Sequence, residues 1–237
     1  MNGPDLLLPA PVQAAPLPEV RNHTPHPSQY YQMMDVGDEV FHVIASRITY
    51  DLTRLDEQGA PPLAAVQAPL ADADAFYGEP ATTSCIQESD FAPYKPKCDV
   101  LLAHAVAYAP QGKPHQRWPV GLRIGHWQKM LSVTGPRYVD RGLLGWKVTE
   151  PQKATQVPLR WELAYGGSCQ WPRQLKEEQE PEIFKAYEAN PLGTGWTDKA
   201  WLKKAQVADV DAPQIEVFDQ PFGTEDANAM DYPAVGV

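Results

Sequence analysis

The chain is poor in cysteine, with Cys85, Cys98 and Cys169 as its three thiols in 237 residues. An odd, sparse set does not build a disulfide framework. No CxxC pair or zinc spacing is present, so three reduced thiols are expected. Long apolar runs are missing too. No window approaches the ~20 residues that a membrane span needs. The run Leu6-Leu7-Leu8 has no basic segment ahead of it, and Pro9, Pro11, Pro16 and Pro18 break up the stretch beyond it, which argues against a signal peptide. Positive charge is in deficit. Twenty Lys and Arg face 30 Asp and Glu, a formal net charge of −10. Such a surface repels phosphate backbones, so a nucleic-acid role is disfavoured.

Proline is abundant instead, with 25 residues. It breaks helix interiors and central strands alike, so it predicts short elements joined by fixed turns and argues against a helical bundle. Hydrophobic residues at 43% and charged residues at 21% suit a folded chain. The expected organisation is a Pro/Ala-rich extended tail over 1–21, a single β-rich domain over 22–222 and a loose segment over 223–237.

Period-two patterns supply the elements. Val40, Ile44, Ile48, Tyr50 and Leu52 share one parity within Val40–Leu52, which predicts one buried sheet face. Val100–Tyr108 reads as a strand with large residues on one parity and Ala103, Ala105 and Ala107 on the other. Trp118–Ile124 alternates, Gly125-His126-Trp127-Gln128 reads as a hairpin connection, and Lys129–Thr134 returns before Gly135-Pro136. Val157, Leu159, Trp161, Leu163 and Tyr165 alternate up to Gly166-Gly167. Helices are expected at Pro181–Ala189, stopped by Asn190-Pro191, and at Asp198–Gln206 with Thr197 as cap. The fold class is mainly β: an antiparallel sandwich or barrel-like domain with one or two short helices in the carboxy-terminal third.

Catalytic signals are weak. The histidines His23, His26, His42, His104, His115 and His126 form no HxH or HExxH pair, and His42 and His104 fall inside expected strands. No GxSxG elbow or phosphate loop occurs. Ser168-Cys169 after Gly166-Gly167 lacks a nearby general base. The densest charged run, Glu88 to Asp99, holds Glu88, Asp90, Asp99, Lys95 and Lys97. A carboxylate pair there could do acid–base work. Ion pairs fixing a Pro-rich turn explain it more simply. Arg137, after Gly-Pro, is expected to pair with Glu88, Asp90 or Asp99. No catalytic, metal or cofactor-binding residue is assigned. The tryptophans are expected in the core, and any exposed one would anchor an interface.

The motifs also come in a recognisable order. It starts with Asn22-His23-Thr24-Pro25, then Glu88-Ser89-Asp90 with Lys95-Pro96-Lys97-Cys98-Asp99-Val100, Ala107-Tyr108-Ala109-Pro110, and Gly135-Pro136-Arg137. It continues through Pro158-Leu159 leading to Tyr165-Gly166-Gly167, Asn190-Pro191-Leu192-Gly193-Thr194-Gly195, and Pro213-Gln214-Ile215-Glu216. This order resembles a bacterial domain-of-unknown-function family found beside type VI secretion genes. Its members place an effector on the spike of the secretion machine. The chain departs from the family pattern at Pro136 and Tyr165, and it stops before the Trp/Arg-rich segment of longer members.

The resemblance implies a cytoplasmic adaptor or chaperone that binds a secreted effector and a spike-tip protein, without catalysis or cofactor. Strand addition to a sheet edge is one binding mode open to it. Asn22, Thr24, Pro25, Glu88, Ser89, Asp90, Lys95, Lys97, Asp99, Arg137, Gly166, Gly167, Asn190, Gly193 and Gly195 are its expected interaction scaffold. Two other readings stay open: an enzyme using Glu88 and Asp90 with His104, and a structural module that leaves the cell with the spike.

Overall fold

The computed structural model describes residues 19–35, 37–80, 82–91, 98–142, 145–170, 183–198, 209–223 and 232–233. The chain divides into two compact units, the first drawn from 1–72 and 89–96, the second from 73–88 and 97–237. Strands dominate the described residues, and helical structure there is confined to short 3-10 turns.

The first unit is built on an antiparallel hairpin of β1 (Ser28–Met34) and β2 (Val40–Ser46), in register from Ser28↔Ser46 to Met34↔Val40. Asp35 fixes the connection: its Oδ1 accepts the N–H groups of Gly37 and Glu39 at 2.8 and 3.0 Å. This is the local side-chain turn that aspartate favours. Opposed residues share a face, so Tyr30, Ile44, Gln32, His42, Met34 and Val40 lie together, and Tyr31, Val43, Met33 and Phe41 lie on the other side. The second set is half-buried, with Tyr31 edge-on to Phe91 at 5.4 Å between ring centroids.

That arrangement reverses one expectation. Val40, Ile44, Ile48, Tyr50 and Leu52 are all exposed, and the strand ends at Ser46. Alternation says which residues share a face but not which face is covered, and here Phe41, Val43 and Ala45 take the covered side. Among the described residues of this unit, Ala71 is the one fully buried apolar side chain.

The second unit holds β3 (Ala75–Phe76), β4 (Cys85–Gln87), β5 (Val106–Tyr108), β6 (Arg117–Ile124), β7 (Trp127–Thr134), β8 (Tyr138–Gly142) and β9 (Gly145–Val148). It continues through β10 (Gln156–Pro158), β11 (Tyr165–Gly166), β12 (Ser168–Gln170), β13 (Ile183–Ala186), β14 (Thr194–Gly195), β15 (Asp209–Asp211) and β16 (Ile215–Val217). They form small open sheets: β16-β7-β6, β15-β8-β9 and the pairs β5-β10, β3-β4, β12-β13 and β11-β14. All pairings are antiparallel except β11 with β14. The core has two clusters. Trp118, Val133, Val157, Ala107 and Ile215 centre one, and Tyr165, Tyr187, Trp196, Phe222 and Tyr232 the other.

The expected hairpin β6–β7 forms, but its connection is the two-residue loop Gly125-His126, with Gly125 at φ +59°, and Trp127 and Gln128 belong to the returning strand. Positive φ at the first loop position suits the right-handed twist of the strands. Elsewhere the strands are shorter than their patterns. Only Val106–Tyr108 of Val100–Tyr108 is a strand, with Ala107 buried, while Tyr108, Val100, Leu101 and Leu102 are exposed. His104 sits in a turn at φ +56°, not in a strand. The run Val157–Tyr165 is interrupted by a 3-10 turn at Trp161–Leu163, so Val157 and Tyr165 belong to different sheets.

The helix expected at Pro181–Ala189 is corrected to a strand over Ile183–Ala186, paired with β12. Pro181 and Asn190-Pro191 bound a short segment of either kind, and partner β12 decides between them. The expected helix Asp198–Gln206 lies, after Asp198, outside the described residues.

Gly166 combines a close approach with a strained backbone. Its φ is +148°, and an added Cβ would collide with the Asn190 carbonyl oxygen. Gly166→Ala is expected to lower stability by at least about 2 kcal/mol. Gly112→Ala meets a milder backbone constraint (φ +66°, the left-handed region) and open space around the Cβ, and should cost about 1 kcal/mol. Urea unfolding midpoints of the two variants check the contrast.

Candidate functional site

The glycine motifs meet in space. Pairing of β11 with β14 sets Tyr165 beside Thr194 and Gly166 beside Gly195. Asn190 occupies the centre. Its Nδ2 donates to the carbonyls of Trp161 and Tyr165 at 2.9 and 3.1 Å, and its carbonyl accepts the N–H of Gly167 at 2.9 Å. A Cβ at Gly193 would press on Asn190 Nδ2 and the Ala164 carbonyl, and one at Gly195 on the Pro213 ring at 2.5 Å. Gly166, Gly167, Asn190, Gly193 and Gly195 therefore converge, but as interlocked backbone that leaves little room for a ligand. Their residue types follow from close packing.

Arg137 and Glu216 form the second convergence. Arg137 is 4% exposed and Glu216 0%. Arg137 donates to the Pro213 carbonyl through Nε and Nη2 at 3.3 and 3.0 Å, and through Nη2 to Glu216 Oε1. The same Oε1 accepts the Phe222 N–H at 2.7 Å. Arg117 Nη2 lies 3.1 Å from Glu216 Oε2 without the alignment of a hydrogen bond, so that oxygen is compensated by charge alone. The expected pairing of Arg137 with Glu88, Asp90 or Asp99 is thus corrected to Glu216. The signal was present in Ile215-Glu216-Val217, a carboxylate flanked by core residues that needs a buried cation.

The Glu88–Asp99 run is divided between the units. In the first, Asp90 Oδ2 lies 3.3 Å from Arg47 Nη1 and accepts the Ala71 N–H at 2.7 Å. The Ser89 hydroxyl donates to the carbonyls of Ala71 and Asp72 and accepts the Phe91 N–H at 3.1 Å. These bonds pin a loop, as a turn-fixing network would. Glu88 and Asp99 belong to the second unit, and both are exposed. Lys95 and Lys97 lie outside the described residues. Asn22 caps an exposed turn, its Oδ1 taking the Thr24 N–H and hydroxyl at 2.9 and 2.7 Å, with Pro25 exposed beside it.

The Cys169 thiol is pushed up by burial and by the Asp198 carboxylate, against the lowering effects of the Asp198 N–H and Lys185. That favours the thiol over the nucleophilic thiolate. Among the described residues no three His, Cys, Asp or Glu side chains cluster as metal ligands. Glu162 is clamped by Ser84, whose N–H donates to Oε1 at 2.8 Å and whose hydroxyl donates to Oε2. Burial is the largest single influence on this carboxyl and raises it. The Ser84 hydroxyl and N–H, its own N–H and Arg160 together outweigh burial and hold it below its ordinary value.

Among the described residues, one apolar face open to solvent is the outward face of β1–β2. Tyr30, Met34, Val40 and Ile44 project there with Gln32 and His42, and no residue of that face carries a formal charge when His42 is neutral. Ile44 is 59% exposed and Met34 60%. Trp127 at the tip of the β6–β7 hairpin is exposed as well, while Trp118 and Trp196 are core. Contiguous exposed apolar residues mark interaction surfaces more often than catalytic clefts.

The family described as "Uncharacterized protein conserved in bacteria (DUF2169)" matches residues 37–237. The chain belongs to that family. No curated protein and no solved structure matches the chain. The matched region begins just before β2 and includes the Asp90 loop, the Arg137–Glu216 pair and the glycine knot of the family member described here. No helix among the described residues is long and apolar enough to cross a membrane.

Removing one member of the buried pair should be severe. Arg137→Ala is expected to cost about 3–5 kcal/mol in urea unfolding, whereas Arg137→Met with Glu216→Met should recover much of that loss. The lowered carboxyl of Glu162 makes a signed prediction. Its contribution is present above the unfolded-state value and lost as pH falls through the lower folded-state value. Stability of Glu162→Gln should therefore fall less steeply than wild type as pH drops from about 5 to 3, measured as urea midpoints across that range.

Proposed function

We propose that the chain is a non-catalytic adaptor that holds a type VI secretion effector in the bacterial cytoplasm and presents it to a spike-tip protein. The observation that carries this reading is the exposed, uncharged β1–β2 face in a unit with a single buried apolar side chain, Ala71, among its described residues. A small unit that buries so little apolar surface gains stability when a partner covers that face. The β1–β2 hairpin pairs with no third strand among the described residues, and a sheet edge can accept an added strand. The motif order supports the secretion context, and the net charge of −10 suits a basic effector through long-range steering. Asp90, one of the two carboxylates on which the enzyme reading rests, is engaged in pinning a loop, which favours the adaptor over the enzyme reading.

The experiment is reconstitution after a tagged pull-down from the native bacterium, with wild type beside Ile44→Asp. Wild type should recover an effector together with a spike-tip protein. Ile44→Asp should lose the effector, by about tenfold or more in affinity, without a change in the unfolding of the second unit. Equal effector recovery by both proteins would remove the hairpin face from the reading. Recovery of housekeeping proteins alone, even after cross-linking, would remove the adaptor function. Appearance of the protein in culture supernatant would transfer it to the secreted spike.

A further inference from the structure

The ladder between β5 and β10 pairs Pro158 with Val106, and the Leu159 N–H continues it by donating to the Ala105 carbonyl at 2.9 Å. One more step in that register sets Arg160 opposite His104. Tyr77 joins them. The Arg160 Cζ stands 3.7 Å from the centroid of the Tyr77 ring, and the His104 ring meets that ring edge-on at 5.4 Å and 79°. The Tyr77 hydroxyl accepts the His104 N–H at 2.9 Å and lies 3.3 Å from His104 Nδ1. This double contact holds His104 at its positive φ of +56°, a conformation a histidine adopts rarely.

Arg160 is half-buried, yet among the described residues its guanidinium donates no hydrogen bond and closes no ion pair. Glu162 is near enough for Arg160 to help lower its carboxyl, but no hydrogen bond joins the two side chains, and the Glu162 oxygens are bonded by Ser84. One face of the guanidinium is thus covered by an aromatic ring and its donors are uncommitted. Val100, Leu101, Leu102 and Tyr108, all exposed, flank His104 along the chain.

We propose that Arg160, Tyr77 and His104 form a binding site for the carboxylate of a polypeptide, either its carboxy terminus or an acidic side chain, with an apolar residue beside it. A guanidinium stacked on an aromatic ring presents a planar fork that matches a planar carboxylate through two parallel hydrogen bonds. A single cation next to the fixed charge of Glu162, in a chain of net charge −10, suits a monoanion better than a phosphate dianion. The flanking apolar residues supply contact for the neighbouring side chain. This site lies within the second unit and stands or falls independently of the β1–β2 face.

The test is a titration of the full chain followed by the Arg160 Nε–H resonance, assigned by its loss in Arg160→Lys. The probes are N-acetyl-leucine for a terminal carboxylate and N-acetyl-leucyl-glutamate amidated at its α-carboxyl alone for a side-chain carboxylate. N-acetyl-leucinamide and inorganic phosphate are the controls. The expected result is a saturable shift with at least one carboxylate probe at millimolar concentration, and the stronger of the two names the source. Leucinamide should give none, and phosphate a weaker one. Arg160→Lys and Tyr77→Ala, followed through His104 ring resonances, should each weaken the preferred probe about tenfold. Absence of a saturable shift with both carboxylates overturns the proposal. So does an equal response to leucinamide, or tighter binding of phosphate. The wild-type titration decides these outcomes even where a variant fails to fold.

Discussion

A carboxylate without water must have a cation, and much of the second unit is arranged around that requirement. Glu216 lies on β16, the strand that completes the β16-β7-β6 sheet. Arg137 reaches it from the segment leading into β8, and Arg117 from the start of β6. The carboxylate also caps the Phe222 N–H, and Phe222 packs with Tyr165 and Tyr232 in the second core cluster. A single buried charge therefore joins two core clusters that hydrophobic packing alone would leave independent. A buried ion pair is weak support for stability but strong support for register, since any slip leaves the charge uncompensated.

The glycine knot works by a different rule, exclusion of volume. Gly166, Gly193 and Gly195 let backbone from β11, β14 and the Pro213 segment approach more closely than any Cβ permits. Asn190 then satisfies the carbonyls that this approach would strand. The effect is a rigid centre with few degrees of freedom.

Much of this was legible in the sequence at the level of class. Proline content and period-two alternation indicated a mainly β chain of short elements, and the β6–β7 hairpin was readable, though with a connection two residues too long. Burial was not. Val40 and Ile44 share a face as their parity requires, but the covered side belongs to Phe41 and Val43, because coverage is set by segments far away in sequence. Local pattern also missed the strand Ile183–Ala186, whose identity comes from its partner β12. Arg137 stood out as a residue needing an acid. The correct acid, 79 residues away, was hidden because charge alone cannot choose among several carboxylates. Tyr77 and Arg160 carry no sequence signal, since a stacked cation on a tyrosine leaves no spacing signature.

The position of β16 has a consequence during synthesis. β7 is the central strand of its sheet and has β6 as a neighbour at once, but its second edge stays open until residues 215–217 emerge. At ribosomal speeds of roughly 5–20 residues per second, the 79 residues between Arg137 and Glu216 take about 4–16 seconds to appear. Throughout that interval the nascent chain carries an unpaired strand edge and an arginine without its carboxylate. The growing polypeptide is thus a better substrate for general folding helpers than the finished one, and the closing of that edge marks the moment at which it ceases to be.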